Sequence, residues 1–134
     1  MSALERVAAE LTRGAWEERM GSLWLAPAKL DIRRMAALMN VAGARLITIA
    51  AMELAEGGGI RMDYHWDLDG TLATVTTMAD NGVVPSICDL CPAADWIERE
   101  IHECFAVEFQ GREYEPLLLR PGAAPGVSLR KEDE

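Results

Sequence analysis

Hydrophobic residues recur every three or four positions in three segments of the chain, which is the spacing that places them along one side of a helix. The three predicted helices cover residues 2–13, 30–41 and 92–105. Ser2 and Glu5 form a capping-box pair at the start of the first helix, and Gly43 follows the second as a stop signal. Pro92 suits the first position of the third helix, because its missing N–H would have no partner there.

Other segments have the patterns of β-strands. In one of them apolar and polar residues alternate, the apolar set being Met62, Tyr64, Trp66 and Leu68. Residues 45–52 form a short β-branched apolar run, and Asp69–Gly70 is a typical hairpin turn after which 71–79 returns as the partner strand. Residues 15–26 are interpreted as one irregular strand, and 83–87 as extended. This order predicts an α+β fold: a small, mostly antiparallel sheet of about four strands with helices packed on one face.

The length of the chain and its net charge limit the number of domains and the kinds of partner that we expect. The chain has 134 residues, of which 50% are hydrophobic, enough for one domain with its own core. We expect a single domain over residues 1–119 and a flexible tail over 120–134. The formal net charge is −9, and residues 62–134 contain 15 acids and 5 bases. Nucleic acid and anionic lipid are therefore not expected partners, and the acidic surface serves solubility or the docking of a basic partner.

No segment is predicted to cross a membrane. The longest stretches without Asp, Glu, Lys or Arg have ten residues, whereas a spanning helix needs about 20 apolar residues. The N-terminal residues lack the basic and apolar regions of a secretory signal. The three cysteines, an odd number, fit reduced thiols. We therefore expect a cytoplasmic protein.

Cys88 and Cys91 are the strongest candidates for site chemistry, because a two-residue gap lets two thiolates hold one zinc or iron ion. His102 and Cys104 follow in the third predicted helix and could complete the ligand set. Against this, two residues that are two positions apart in a helix point in different directions. A free-standing zinc-binding or thiol redox module using Cys88 and Cys91 remains the alternative function.

The other candidates favour structural roles. Tyr64 and Trp66 fit a core better than a binding platform, and Gly57–Gly59 fits a turn between strands. The acids between Glu98 and Glu103 are interpreted as a solvated helix face. The apolar stripe of the third helix is predicted to consist of Ala94, Ile97, Ile101, Cys104 and Phe105. Trp96 lies off this stripe, so that it either widens the buried face or anchors an interface.

The segment that begins at Val84-Pro85-Ser86 and continues through the third helix carries a distinctive motif. Its characteristic residues are Ala94, Trp96, Glu98, Arg99, Glu100, Glu103, Phe105 and Phe109. This motif resembles the signature of the thirty-kilodalton (30 kDa) subunit of respiratory complex I, the NADH dehydrogenase complex. Relatives of that subunit occur in energy-converting membrane-bound nickel-iron (NiFe) hydrogenases. The resemblance covers residues 28–120, with departures at Ala106, at 110–112 and at Pro116.

The resemblance implies a non-catalytic scaffold subunit that carries no cofactor. Such a subunit packs on the hydrogenase-like large subunit and neighbouring iron–sulfur subunits in the peripheral arm of the complex. It reaches the cytoplasmic face of the membrane only through that complex. The residues implied to form or support the interface are Trp96, Glu98, Arg99, Glu100, Glu103, Phe105 and Phe109. The short C-terminal part favours the hydrogenase type, and an isolated copy could form a homodimer through the same patch.

Overall fold

The computed structural model describes residues 2–12, 14–54 and 59–114, apart from the side chain of Asp80. The helices of this part are α1 (Ala3–Thr12), α2 (Ile32–Ala42) and α3 (Ala94–Phe105). The strands are β1 (Glu17–Arg19), β2 (Ser22–Leu25), β3 (Arg45–Glu53), β4 (Ile60–Leu68), β5 (Thr71–Ala79), β6 (Val83–Pro85) and β7 (Glu108–Gln110). The predicted tail over 120–134 and most of the predicted turn at Gly57–Gly59 lie outside the described residues.

The main sheet has five strands in the order β1-β2-β5-β4-β3. Strands β3, β4 and β5 form an antiparallel meander, whereas β2 pairs with β5 in parallel, with Leu23 opposite Ala73. The helices lie on one side of this sheet. The α+β prediction is confirmed, including a mostly antiparallel sheet with helices on one face.

The predicted irregular strand over 15–26 is in fact two short strands joined by a tight turn, which raises the strand number to five. Met20 and Gly21 both have positive φ, at 50° and 82°, and β1 pairs with β2 around them. Asp69 and Gly70 adopt a similar conformation in the predicted hairpin, at 50° and 89°. The sequence does not reveal the Met20 turn, because methionine is a rare residue at a position that favours Asn, Asp or Gly.

The predicted helix ends agree with the structure, with small shifts. The Glu5 N–H donates to Ser2 Oγ at 3.1 Å at the start of α1. Helix α2 begins after Asp31, whose carboxylate accepts from the Arg34 N–H at 3.0 Å, and ends at Gly43 with φ 87°. Helix α3 begins two residues later than predicted, after a turn in which the Asp95 N–H donates to the Pro92 carbonyl at 3.1 Å. None of these helices is long and apolar enough to span a membrane, within the described ranges.

The core lies between the helices and one face of the main sheet. The alternating residues Ile60, Met62, Tyr64 and Trp66 of β4 are all buried, which confirms that Tyr64 and Trp66 are core residues. They share one hydrophobic cluster with Met35 and Met39 of α2 and with Ile101 of α3. The predicted amphipathic patterns therefore identify the buried faces of β4 and α2 correctly.

A second, two-stranded sheet connects the two ends of α3. Strand β6, within the segment predicted to be extended, pairs in parallel with β7, so that Val83 lies opposite Glu108. The Ser86 N–H continues this pairing by donating to the Gln110 carbonyl at 2.9 Å. This small sheet holds the segment that precedes α3 against the segment that follows it.

Candidate partner interface on helix α3

Residues 86–91 (the Ser86 loop) lie in the segment between β6 and α3 and are held by a buried carboxylate. Ser86 Oγ donates to Glu98 Oε1 at 2.6 Å, and the Ile87 N–H donates to Glu98 Oε2 at 2.9 Å. Glu98 is fully buried and Ser86 nearly so. Burial raises the pKa of Glu98, against the opposing effect of these two hydrogen bonds and of Arg112. Glu98 therefore fixes the loop to the helix from inside the protein.

Arg112 completes an ion cluster that joins this buried carboxylate to the half-exposed carboxylate of Asp95. Its side chain is only 6% exposed, and its Nη1 lies 3.3 Å from Glu98 Oε1. Its Nη2 lies 2.6 Å from Asp95 Oδ1, and Nη1 also donates to the Asp95 carbonyl at 3.0 Å. The segment after β7 is thus tied to the first and second turns of α3. A charge can remain buried at this place because each member of the cluster has a partner.

The expectation of a solvated acidic face on the third helix is wrong for two residues. Glu98 and Glu103 are buried, whereas Ile97, Cys104 and Phe105 of the predicted apolar stripe are only partly buried. The physical reason is visible for Glu98, since two hydrogen-bond donors and an arginine replace the water that its carboxylate would lose. Sequence spacing alone does not reveal these donors, because they lie 11 to 14 residues away.

The Ser86 loop is also held from its solvent side, by α2. Arg33 Nη1 donates to the Ser86 carbonyl at 2.7 Å, and its two terminal nitrogens contact both oxygens of Asp89 at 2.8 Å. Hydrogen bonding from Arg33 lowers the pKa of Asp89 to about 2. Asn40 adds a hydrogen bond from Nδ2 to the Leu90 carbonyl at 2.8 Å. Two helices therefore hold the same loop from opposite sides.

The outer surface of α3 carries an exposed aromatic residue next to an enclosed arginine. Trp96 is 54% exposed, and the Arg99 guanidinium carbon lies 5.7 Å from the centre of its ring. The Arg99 side chain is 17% exposed, and Nη2 lies 3.5 Å from Asp95 Oδ2. Glu100 is exposed on the same helix. Near them, a cavity of about 310 Å³ is lined by Asp95, Arg99, Arg112, Glu113 and Tyr114.

The residues implied for the interface fall into two groups by burial. Trp96, Arg99 and Glu100 reach the surface of the isolated chain, and Phe105 is partly exposed. Glu98, Glu103 and Phe109 are buried. The first group is available to a partner, whereas the second supports the helix and the adjoining strand. The spacing of four residues predicts the Asp95–Arg99 ion pair, which the structure contains. Sequence reasoning missed Arg112 and Arg33 as parts of this arrangement, and no local spacing pattern links them to Glu98.

The cysteines do not converge on one place. Cys91 is buried with Sγ 3.7 Å from Asn40 Oδ1, and burial raises the pKa of the Cys91 and Cys104 thiols. His102 Nδ1 lies 2.9 Å from the Val107 carbonyl, and its ring stacks on Tyr114 with centroids 3.7 Å apart. Within the described part of the chain, no group of three or more His, Cys, Asp or Glu residues could hold a metal ion. The zinc or redox alternative is not favoured.

Comparisons with known proteins identify the family of this chain. The family described as "Respiratory-chain NADH dehydrogenase, 30 Kd subunit" matches residues 27–134. The C/D subunit of the NADH-quinone oxidoreductase of Methylococcus capsulatus is 41% identical over 49 residues, which are 37% of this chain and 8% of that protein. The J subunit of the NAD(P)H-quinone oxidoreductase of Synechococcus sp. (strain RCC307) is 29% identical over 87 residues, 65% of this chain and 44% of that protein. The chain thus spans less than half the length of either relative.

Two solved structures have a similar fold. A chain in the structure of the membrane-bound sulfane sulfur reductase, an archaeal respiratory membrane complex, matches with a TM-score of 0.75 and 25% identity over 87% of this chain and 75% of that one. A trypsin-resistant fragment of Nqo5 matches with a TM-score of 0.65 and 21% identity over 84% of this chain and 96% of the fragment. Since the family match covers most of the chain, this protein belongs to the family of the 30 kDa subunit of the respiratory-chain NADH dehydrogenase.

Proposed function

We propose that this chain is a non-catalytic scaffold subunit in the peripheral arm of a membrane-bound oxidoreductase complex. The complex is of the energy-converting NiFe hydrogenase type or the NADH:quinone oxidoreductase type. The chain docks on the hydrogenase-like large subunit, beside iron–sulfur subunits, and supports electron transfer by holding these partners in place. It is peripheral to the cytoplasmic face of the membrane through the complex.

The observation that carries this proposal is the construction of α3. Glu98 and Arg112 fix the helix from within through contacts of 2.6 to 3.3 Å, while Trp96 and Arg99 stand on its outer side. A rigid helix with an exposed tryptophan and an adjacent arginine has the residue types that dominate binding energy at protein interfaces. The buried pair of Glu98 and Arg112 supports the helix from inside and does not reach the surface. Family membership and the likeness to a chain of a respiratory membrane complex support the same reading.

The first test is co-purification from native cells. The chain is tagged, the membranes are solubilised gently, and the retained proteins are identified by mass spectrometry. We expect a homologue of the hydrogenase-like large subunit together with iron–sulfur proteins, and these companions identify the type of complex. Recovery of the chain alone, under conditions in which another membrane complex of the same cells survives, would contradict the proposal.

The second test concerns the face of α3. Trp96→Ala removes an exposed side chain, so that the stability of the isolated chain is expected to stay nearly unchanged while the yield of co-purified partner falls. Met20→Ala is the matched control, because Met20 is fully exposed in a turn of the main sheet. Equal partner yields from wild type, Trp96→Ala and Met20→Ala would show that the outer face of α3 is not part of the interface.

A further inference from the structure

The two arginines beside the cavity near α3 are not equally supplied with carboxylates. Arg112 contacts Asp95 at 2.6 Å and Glu98 at 3.3 Å, and its side chain is almost completely buried. Arg99 shares the same Asp95 carboxylate, at 3.5 Å. Both oxygens of Glu98 are occupied by Ser86, Ile87 and Arg112. The carboxylates of this cluster therefore pair more closely with Arg112 than with Arg99.

Arg99 is enclosed without being fully hydrogen-bonded. Its side chain is 17% exposed, and its Nε is buried with no hydrogen-bond acceptor among residues 2–12, 14–54 and 59–114. The ring of Trp96 lies beside the guanidinium and is itself half exposed. An arginine that has lost most of its water and has one long ion pair retains unused capacity to bind an acceptor.

Arg99 is one of few bases in this half of the chain. Residues 62–134 contain only 5 bases against 15 acids. Two of those five bases, Arg99 and Arg112, line the same cavity of about 310 Å³. Glu113 also lines this cavity, is exposed, and forms no ion pair with either arginine in the described part of the chain. The cavity lining thus has two arginines and two carboxylates, on a half of the chain where acids outnumber bases threefold. Of these two arginines, Arg99 has the weaker internal pairing, since its contact with Asp95 is 3.5 Å long and that of Arg112 is 2.6 Å.

We infer that Arg99 receives the carboxylate of an Asp or Glu side chain from the partner subunit, with Trp96 packing against the stem of that side chain. Arginine binds carboxylates through a planar set of N–H donors, and the enclosed position strengthens the contact by limiting screening by water. This inference rests on the proposed docking of α3 and specifies which partner chemistry this face recognises. The alternative occupants are a carboxylate of this chain, either Glu113 or a residue of 115–134, and an uncharged acceptor.

The test uses Arg99→Lys in the full chain, assembled in its complex. A carbodiimide joins an amine to a carboxylate in direct contact, and the chain has only two other lysines, Lys29 and Lys131. We expect an amide cross-link from position 99 to an Asp or Glu of a partner subunit, identified by mass spectrometry. The matched control is Arg6→Lys on the exposed side of α1, which should not form this link. A link from position 99 only to carboxylates of this chain, whether Asp95, Glu113 or residues 115–134, would overturn the inference, and so would the absence of any link from position 99.

Partner yields separate this inference from the proposed function. Arg99→Gln keeps a polar side chain but removes the charge, and we expect it to lower the yield of co-purified partner about tenfold or more. Arg6→Gln, the same change on the exposed side of α1, should leave the yield unchanged. If Trp96→Ala lowers the yield and Arg99→Gln does not, α3 is the docking face but no partner carboxylate binds Arg99. If neither variant lowers it, the docking face itself is wrong.

Discussion

The Ser86 loop is held on its two sides by the same chemistry in two different environments. On the α2 side, Arg33 contacts Asp89 through two distances of 2.8 Å, with side chains that are 45% and 61% exposed. On the α3 side, Arg112 contacts Glu98 at 3.3 Å, with side chains that are 6% and 0% exposed. The solvated pair has the shorter contacts, yet we expect the buried pair to contribute more to the stability of the fold.

The difference follows from what happens when one partner is removed. Water replaces the missing partner of an exposed ion, so that little free energy of unfolding is lost. A buried ion has no such replacement, and the remaining charge and donors stay in a medium that solvates them poorly. Contact distance is therefore a poor guide to importance, whereas burial and the number of dependent donors are better guides.

The largest effect is expected from Glu98→Ala. This change leaves Ser86 Oγ and the Ile87 N–H without their buried acceptor, and it leaves Arg112 with Asp95 as its remaining carboxylate. We therefore expect a loss of about 3–5 kcal/mol in the free energy of unfolding. Urea denaturation of the isolated chain measures this loss. Glu100→Ala is the matched control on the exposed side of the same helix, with an expected change within about 0.5 kcal/mol. Similar losses in the two variants would show that Glu98 contributes no more to the free energy of unfolding than an exposed acid of the same helix.

An intermediate effect is expected from Ser86→Ala. The variant removes the hydrogen bond of 2.6 Å to a charged acceptor and the one of 3.2 Å that Ser86 Oγ accepts from the Cys88 N–H. It leaves the Ile87 N–H and Arg112 contacts to Glu98 in place. We expect a loss of about 1.5–3 kcal/mol, measured by the same denaturation. A loss equal to that of Glu98→Ala would mean that the hydroxyl, and not the carboxylate, organises the loop.

A smaller effect is expected from breaking the solvated pair. Arg33→Gln and Asp89→Asn each remove the ion pair between α2 and the loop, and we expect stability losses below that of Ser86→Ala. Because exposed charges are screened by salt, the losses should shrink further as the ionic strength rises. Thermal denaturation at low and high sodium chloride measures both properties. A salt-independent loss as large as that of Glu98→Ala would reverse the comparison.

The smallest effect is expected in the pH dependence of stability. It has opposite sign for Asp89, on the α2 side of the Ser86 loop, and for Glu98, on the α3 side. Asp89 has a lowered pKa, about 2, so its contribution is present above its ordinary pKa near 4 and is lost as the pH falls towards 2. Glu98 has a raised pKa, so its protonation favours the folded state, and this contribution is lost as the pH rises through that pKa. Melting temperatures of wild type, Asp89→Asn and Glu98→Gln between pH 2 and 7 measure the difference. Identical curves for the three proteins would contradict it.

Local features of the fold are predictable because few neighbouring residues determine them. The Ser2–Glu5 cap, the turn at Asp69–Gly70 and the stop at Gly43 each depend on side chains within one turn. The parallel pairing of β2 with β5 depends on residues far apart in the chain, so it cannot be predicted from hydrophobic periodicity. The hairpin at Met20 is hidden because the residue type at its turn is atypical.

The candidate site is predictable only as a set of residues. The motif of the third helix identifies Trp96, Glu98 and Arg99 together, and it does not separate exposed residues from buried ones. That separation depends on hydrogen-bond donors that the fold brings to the helix, such as Ser86 and Arg112. The helical spacing of residues does not indicate which donors these are. The sequence assigns Glu98 to a solvated face because it belongs to a run of charged residues, and a charged helix face is usually solvated.

The position of β2 beside β5 also has a consequence for the order of folding. Strands β3, β4 and β5 are neighbours in sequence and can form as successive hairpins, whereas Leu23 must find Ala73 across the whole meander. Closing that long loop is slow, so we expect the β1–β2 hairpin to join an already formed meander. Destabilising substitutions in β2 should then mainly speed unfolding, and those in β4 should slow refolding, as measured by stopped-flow fluorescence. Damage to β2 would shorten the lifetime of the folded protein without delaying its formation.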